Sequence, residues 1–229
     1  MSIAIIPARG GSKRIYKKNI KNFCGRPIIE WVFETVKSSK LFDYIIVSTE
    51  DEEIKKLAIK NNILVPFKRP LYLSDDYSGI IDVMSHAVRC LKKKGITSNN
   101  ICCVYPTAVT LSKYDLVKSY KEFLRKKYDY IFSVAEYAHP IQRAFYLNKK
   151  NKIKMFEPGK VLKKRSQDYV KSYHDVGQFY WGTFNAWKIK QKIYSKKSSI
   201  YVIPSYRAID INYKDDWKKA ELIFKILKK

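Results

Sequence analysis

Residues 2–19, SIAIIPARGGSKRIYKKN, decide the fold. The first six, Ser2 to Pro7, form a short apolar run, the mark of a strand covered on both faces. A basic loop follows at once. Gly10 and Gly11 let the backbone approach a phosphate closely, and Arg9, Lys13 and Lys18 supply positive charge around it. A buried strand that delivers such a loop opens an α/β fold whose ligands sit beyond the carboxyl ends of the strands. The loop is neither the G-x-G-x-x-G of dinucleotide-binding folds nor the G-x-x-x-x-G-K-[ST] of P-loop enzymes, which disfavours both classes.

Working outward, strand and helix signals alternate. Pro27 stands where the first residue of a helix would be, and Ile28, Trp31, Val32, Thr35 and Val36 follow at helical spacing. Tyr44 to Val47 predicts the next strand, and Thr49 with Glu52 has the spacing of a capping box opening a second helix. Ile63 to Phe67, Ile101 to Tyr105 and Tyr130 to Val134 predict three more strands. Between them, Ile80 to Leu91 and Leu116 to Phe123 predict helices, the first closed by Gly95. This rhythm implies α/β architecture, a doubly wound, mostly parallel sheet. After Glu136 the rhythm breaks: Gln142 to Leu147 and Lys152 to Phe156 alternate like a hairpin, and Gln178 to Trp181 and Tyr201 to Ile203 predict strands. A last helix is expected after Asp215 and Asp216. Residues 137–185 therefore read as an excursion from the sheet within one domain spanning 1–229.

The 229 residues, 46% hydrophobic and 29% charged, suffice for one well-packed core and exclude a disordered or low-complexity chain. No apolar run approaches the roughly 20 residues a membrane span needs. The N-terminus carries no basic-then-apolar leader, so a cytoplasmic protein is expected. The net charge of +25 suggests nucleic-acid binding as a rival function. Against it, the 46 basic residues are mostly scattered lysines, and guanidinium, the group suited to planar recognition, is scarce. Cys24, Cys90, Cys102 and Cys103 show no metal-ligand spacing and read as free thiols, the adjacent pair facing opposite sides of a strand.

The stretch PARGGSKRIYKKN (7–19) resembles the signature of the CMP-sialic acid synthetases, the acylneuraminate cytidylyltransferases. RPLYLSDDYSG (69–79), YPT (105–107) and IDINYKDDW (209–217) resemble further segments of that family. RSQDYVKSYHDVGQFYWG (165–182) with HPIQRAF (139–145) is similar to the pseudaminic acid branch rather than the neuraminic acid branch. The resemblance implies a Rossmann-like nucleotidyltransferase fold and the transfer of CMP from CTP to the anomeric hydroxyl of a nine-carbon sugar acid, with pyrophosphate released. It further implies Mg²⁺ as cofactor and 137–185 as a β-rich inserted segment that pairs two subunits and meets the sugar. The alternative within the family is a synthetase acting on N-acetylneuraminic or another nonulosonic acid. Neither nucleic acid nor membrane is expected as a partner.

By the same resemblance, Arg9, Lys13 and Lys18 hold the triphosphate. Ala8, Gly10, Gly11, Ser12, Asn19, Arg69, Ser74 and Ser78 surround the nucleotide. Tyr105, Arg165, Gln167, His174, Gln178 and Phe179 fall where the sugar is met, with Arg165 suited to its carboxylate. Asp210 matches a magnesium-binding carboxylate. Asn212 stands where a second Asp is usual, so the implied site loses one negative charge but keeps a carbonyl oxygen. Tyr16 replaces a Pro of the signature, and Tyr105 replaces a Gln.

Overall fold

In the computed structural model, the described residues are 1–156 and 165–228, apart from the side chain of Lys126. Residues 157–164, part of the expected 137–185 excursion, lie outside them. Six strands form the central sheet: β1 (Ser2–Pro7), β4 (Tyr44–Ser48), β5 (Asn100–Val104), β6 (Tyr130–Glu136), β9 (Tyr173–Thr183) and β10 (Ser198–Val202); outside it β2 (Asn22–Phe23) pairs with β3 (Arg26–Pro27), and a short α5 (Phe184–Lys188) follows β9. Their order is β10-β6-β9-β5-β1-β4, parallel except for β9, which runs antiparallel between β5 and β6. The mostly parallel, doubly wound architecture is thus the one the alternating pattern predicts.

Alternation along β1 shows why both faces need cover. Ala4 and Ile6 pack with Val32, Phe33 and Val36 of α1 (Ile28–Ser38) and Leu116 and Phe123 of α4 (Lys113–Lys126). Ile3 and Ile5 pack on the other face with Met84, Ala87, Val88 and Leu91 of α3 (Ile80–Lys93). Cys102 and Cys103 likewise divide between the two faces, both fully buried and free. A third cluster docks α6 (Lys214–Leu227) through Trp217, Ala220 and Phe224 against Phe23 and Ile28, which closes the end of the molecule next to the first loop.

Several local expectations are corrected. Helix α2 (Glu52–Lys60) is capped by Asp51, whose carboxylate accepts from the Glu53 and Ile54 N–H groups, rather than by a Thr49–Glu52 box. The expected strand 63–67 makes only one isolated bridge, Leu64 with Ile46, and the next, Lys68 with Thr49, falls just beyond it. Pro66 between them has no N–H to continue a ladder. The predicted Gln142–Leu147 strand begins as a 3-10 turn at Ile141–Arg143; only β7 (Phe145–Leu147) pairs with β8 (Ile153–Met155).

The main topological correction concerns 137–185. Its C-terminal part is β9, which returns to the middle of the sheet instead of remaining outside it. There β9 carries a bulge: Phe132 pairs with Tyr180 but Val134 pairs with Asp175, so one residue of β6, Ser133, faces four of β9, 176–179. The buried Ser133 hydroxyl fills the gap, accepting from the Gln178 and Phe179 N–H groups at 3.3 and 3.1 Å. Such a bulge bends the strand and re-aims its side chains.

Gly182, at the far end of β9, is required by close packing. A Cβ there would collide with Trp187 Nε1 and lie 2.7 Å from Tyr130 Cε1, in a core where both rings are fully buried. Gly182→Ala is therefore expected to destabilise the fold by about 1–3 kcal/mol, the usual cost of overpacking. Urea denaturation checks this as a lower midpoint with an unchanged slope.

Candidate active site

The loop after β1 folds back on itself. The Asn19 side chain, 6% exposed, donates to the Arg9 carbonyl at 2.9 Å and ties the end of the loop to its start. Ala8, buried, donates to the Ser48 carbonyl and extends β1 beside β4. Gly10 donates to Glu50 Oε1 at 2.7 Å and lies so close to Asp51 that a Cβ would overlap its carboxylate. Gly11 has open space where a Cβ would be, and Ser12 N–H closes a tight turn onto the Gly10 carbonyl. Lys18 reaches inward to donate to the Ile211 carbonyl at 2.7 Å, so the first loop and the 209–212 segment hold each other.

These elements border a cleft of about 280 Å³ at the carboxyl ends of β1 and β5. Arg9, Lys18, Asn19, Arg69, Ser78, Tyr105, Asp210 and Asn212 line it together. An adjoining cleft of about 370 Å³ adds Ser12 and Lys13. Arg69, 3% exposed, is anchored from below by donating to the Ser48 carbonyl and to its hydroxyl. Ser74 donates to Glu50 Oε2 at 2.9 Å and lines neither cleft; Ser78 donates to the Tyr72 carbonyl and does line the first.

Two residues that the sequence reading did not single out shape the electrostatics. Asp76 pairs with Arg9 Nη2 at 2.8 Å and Lys13 Nζ at 2.7 Å, and the Asp75 carbonyl accepts from Arg9. The hydrogen bonds from Lys13 and Arg9 hold the Asp76 carboxyl below its ordinary range. Within the chain itself, the strongest cations of the loop are thus engaged by an internal anion. The doubled aspartate in RPLYLSDDYSG, opposite a basic loop, was the available signal. Burial lowers the Lys18 pKa below its usual 10.5, opposed by the nearby Asp210 carboxylate.

The remaining sequence-expected residues are not gathered here. Gln178 is fully buried, its amide donating to Thr110 Oγ1 and the Arg207 carbonyl at 2.9 and 2.7 Å. Phe179 is also fully buried, packed in the core with its ring 5.9 Å from that of Tyr201. Neither lines the cleft in this structure, where the bulge of β9 turns both into the sheet. Arg165 is exposed and pairs with Asp168, while Gln167 lines a separate groove with Tyr137 and His139. His174 lies against Tyr137 and contacts the Asp175 carbonyl. None of these three lines the cleft.

The cleft's fitness for magnesium rests on Asp210. Its Oδ2 accepts from the Asn212 amide at 2.7 Å, and the side chains sit on the exposed wall. No group of three His, Cys, Asp or Glu side chains suited to a metal occurs among the described residues. One carboxylate and one amide carbonyl, after rotation of the amide, fit a hard cation that keeps waters and takes its other ligands from phosphate. They do not fit a metal held wholly by protein.

A family profile described as cytidylyltransferase matches residues 3–229. The chain is 40% identical over 225 residues to the pseudaminic acid cytidylyltransferase of Campylobacter jejuni, covering 98% of this chain and 97% of that one. It is 28% identical to N-acylneuraminate cytidylyltransferase B of Danio rerio, over 95% of this chain and 50% of that protein. In fold it is similar to the solved structure of CMP:2-keto-3-deoxy-manno-octonic acid synthetase complexed with CTP. That likeness has a TM-score of 0.70 at 12% identity and covers 99% of both chains. With its basic loop, buried Arg69 and Asp210 gathered in one cleft at the ends of the parallel strands, the chain belongs to the cytidylyltransferase family.

Proposed function

We propose that this protein transfers CMP from CTP to pseudaminic acid and releases pyrophosphate. The observation that carries the reading is the full-length, 40% identity to a pseudaminic acid cytidylyltransferase, joined to a cleft in which the cationic loop and Asp210 converge. In this reading Arg9, Lys13 and Lys18 receive the triphosphate, which displaces Asp76 from Arg9 and Lys13. The anomeric hydroxyl attacks the α-phosphorus in line, and the same cations stabilise the charge that builds on the departing pyrophosphate. Asp210, with the Asn212 carbonyl, would hold Mg²⁺ against the phosphates. The cation would supply charge neutralisation.

The site of action is the cytoplasm in this proposal, in keeping with four unpaired thiols and with no helix, among the described residues, long and apolar enough to cross a membrane. The working unit is a homodimer. Exposed Phe145, Leu147, Ile153 and Phe156 on and beside the β7–β8 hairpin offer the apolar face for it.

Incubation of the pure protein with CTP, Mg²⁺ and a panel of nonulosonic acids tests the reading. Pyrophosphate release with pseudaminic acid at a much higher kcat/KM than with N-acetylneuraminic acid is expected. A preference for the neuraminic sugar would move the protein to the other branch, and tight binding to DNA with no response to CTP would return it to the nucleic-acid class.

For the cation, Asp210→Asn is expected to be far more damaging than Asn212→Ala, because only the first removes a charge. Asn212→Asp is expected to lower the Mg²⁺ concentration for half-maximal rate. A Mg²⁺ titration of the three variants decides it.

The pH dependence follows from Lys18. Burial favours the neutral amine, so the ammonium that meets phosphate is lost as pH rises through a value below the ordinary 10.5. The alkaline limb of kcat/KM should accordingly begin below that of an exposed lysine. In Lys18→Arg, whose guanidinium keeps its proton, the limb should move upward in a pH-rate profile.

A further inference from the structure

The first loop and the 69–79 segment, which face each other across the cleft, are joined twice, and the two joints differ in kind. At the mouth, Arg9 and Lys13 hold Asp76, and Arg9 also donates to the Asp75 carbonyl. At the base, Glu50 bridges the same two segments. Its Oε1 accepts from the Gly10 N–H at 2.7 Å and its Oε2 from the Ser74 hydroxyl at 2.9 Å. Glu50 lines neither half of the cleft; it borders a separate groove of about 200 Å³ with Thr49, Asp51 and Phe67. It acts from behind the wall.

Glu50 stands on backbone that is held on both sides. The Ser48 carbonyl, at the end of β4, receives the Ala8 N–H, and the Thr49 carbonyl receives the Arg69 N–H at 2.9 Å. Asp51, next in the chain, caps α2. The donors at the two joints also differ. An anion entering the cleft competes with Asp76 for a guanidinium and an ammonium. The Gly10 N–H and the Ser74 O–H have one proton each, and both are already engaged by Glu50.

We propose that Glu50 is a positioning residue, the standing joint between the first loop and the 69–79 segment, which keeps the nucleotide site formed while the joint at the mouth opens. The inference rests on the reading of the cleft as a CTP site. It gives Ser74 a part as the partner of Glu50, not as a contact of the nucleotide. Without the joint, binding would have to order the 69–79 segment once Asp76 lets go, and affinity would fall. The joint needs position and not charge. A Gln at this place keeps both bonds: its carbonyl accepts from Gly10, and its amide donates to the Ser74 oxygen. The Ser74 proton then turns to the Pro70 carbonyl, 3.2 Å away.

Three measurements on the full chain test it: CTP affinity by calorimetry, thermal melting, and pyrophosphate release with pseudaminic acid at saturating CTP. Glu50→Ala is expected to weaken CTP binding about tenfold, the scale of one net uncharged hydrogen bond. The sugar KM should stay within about twofold, since the joint serves the nucleotide side of the cleft. Glu50→Gln should bind CTP within about threefold of wild type, because both bonds survive. Ser74→Ala should weaken CTP binding about threefold, and the Glu50→Ala/Ser74→Ala double variant should be no worse than Glu50→Ala alone. A lowered melting temperature with wild-type CTP affinity in Glu50→Ala would reduce Glu50 to a stabilising contact and overturn the proposal. A Gln variant as impaired as the Ala variant would overturn it too, since charge would then be what matters. So would multiplying losses in the double variant, which would put Ser74 on the nucleotide directly. Should Glu50→Ala fail to fold, unchanged CTP affinity in Ser74→Ala would overturn the proposal by itself. Wild-type protein that binds no CTP would overturn the functional reading, and this proposal with it.

Discussion

The site depends on one antiparallel strand driven into a parallel sheet. β9 satisfies the inner edges of both β5 and β6, so within the sheet the two parallel halves are hydrogen-bonded to each other through it. Its fully buried Trp181 stacks on Tyr120 at 4.6 Å on one face, and Tyr180 packs against Phe132 on the other. A strand fixed so firmly along most of its length can depart from regular pairing at one place. The Ser133 hydroxyl stabilises that departure by receiving two backbone N–H groups the bulge would otherwise leave unpaired. The result is a rigid deviation at the carboxyl ends of the strands, where an α/β sheet places its ligands.

A second tie fixes the opposite wall. The ion pair of Arg207 with Asp115 is largely buried, at side-chain exposures of 12% and 7%, and the Arg207 carbonyl receives Thr110 Oγ1 and the Gln178 amide. This links the segment after β10, the start of α4 and the bulge. The 209–212 segment leaves from that anchor toward Lys18. Asp210 therefore stands on a length of chain held at both ends, although its own side chain is exposed.

The legible parts of the sequence were those whose structure is decided locally. The β1 run, the basic loop and the helical faces of α1 and α3 carry their pattern within a dozen residues, and the cleft residues Arg9, Lys18, Asn19, Arg69 and Asp210 follow from them together with the family resemblance. The inward direction of Gln178 and Phe179 was not legible because it is set against β6, some 45 residues away in the chain. No local alternation reveals a bulge that puts four residues opposite one. The Asp51 cap went unseen because Thr49 and Glu52 offered the same spacing two residues early; the extended backbone at Asp51 settled which side chain reached the free N–H groups. Residues 63–67 had strand composition, but Pro66 broke the ladder that composition alone cannot count.

The contact of Asp76 with Arg9 and Lys13 changes what nucleotide binding is. In the proposed binding mode an incoming triphosphate would not meet bare cations surrounded by salt; it would replace a carboxylate that already neutralises part of the loop. Binding is then an exchange of one anion for another. Fewer small ions are liberated than the charge of the nucleotide would suggest, so affinity should vary less steeply with ionic strength than for an open basic surface. In the proposed binding mode Asp76 also loses its tie to the loop while Arg69 and Ser74 keep theirs to Ser48 and Glu50, so occupancy of the phosphate site would be coupled to the short stretch from Asp75 to Ser78 on the cleft wall.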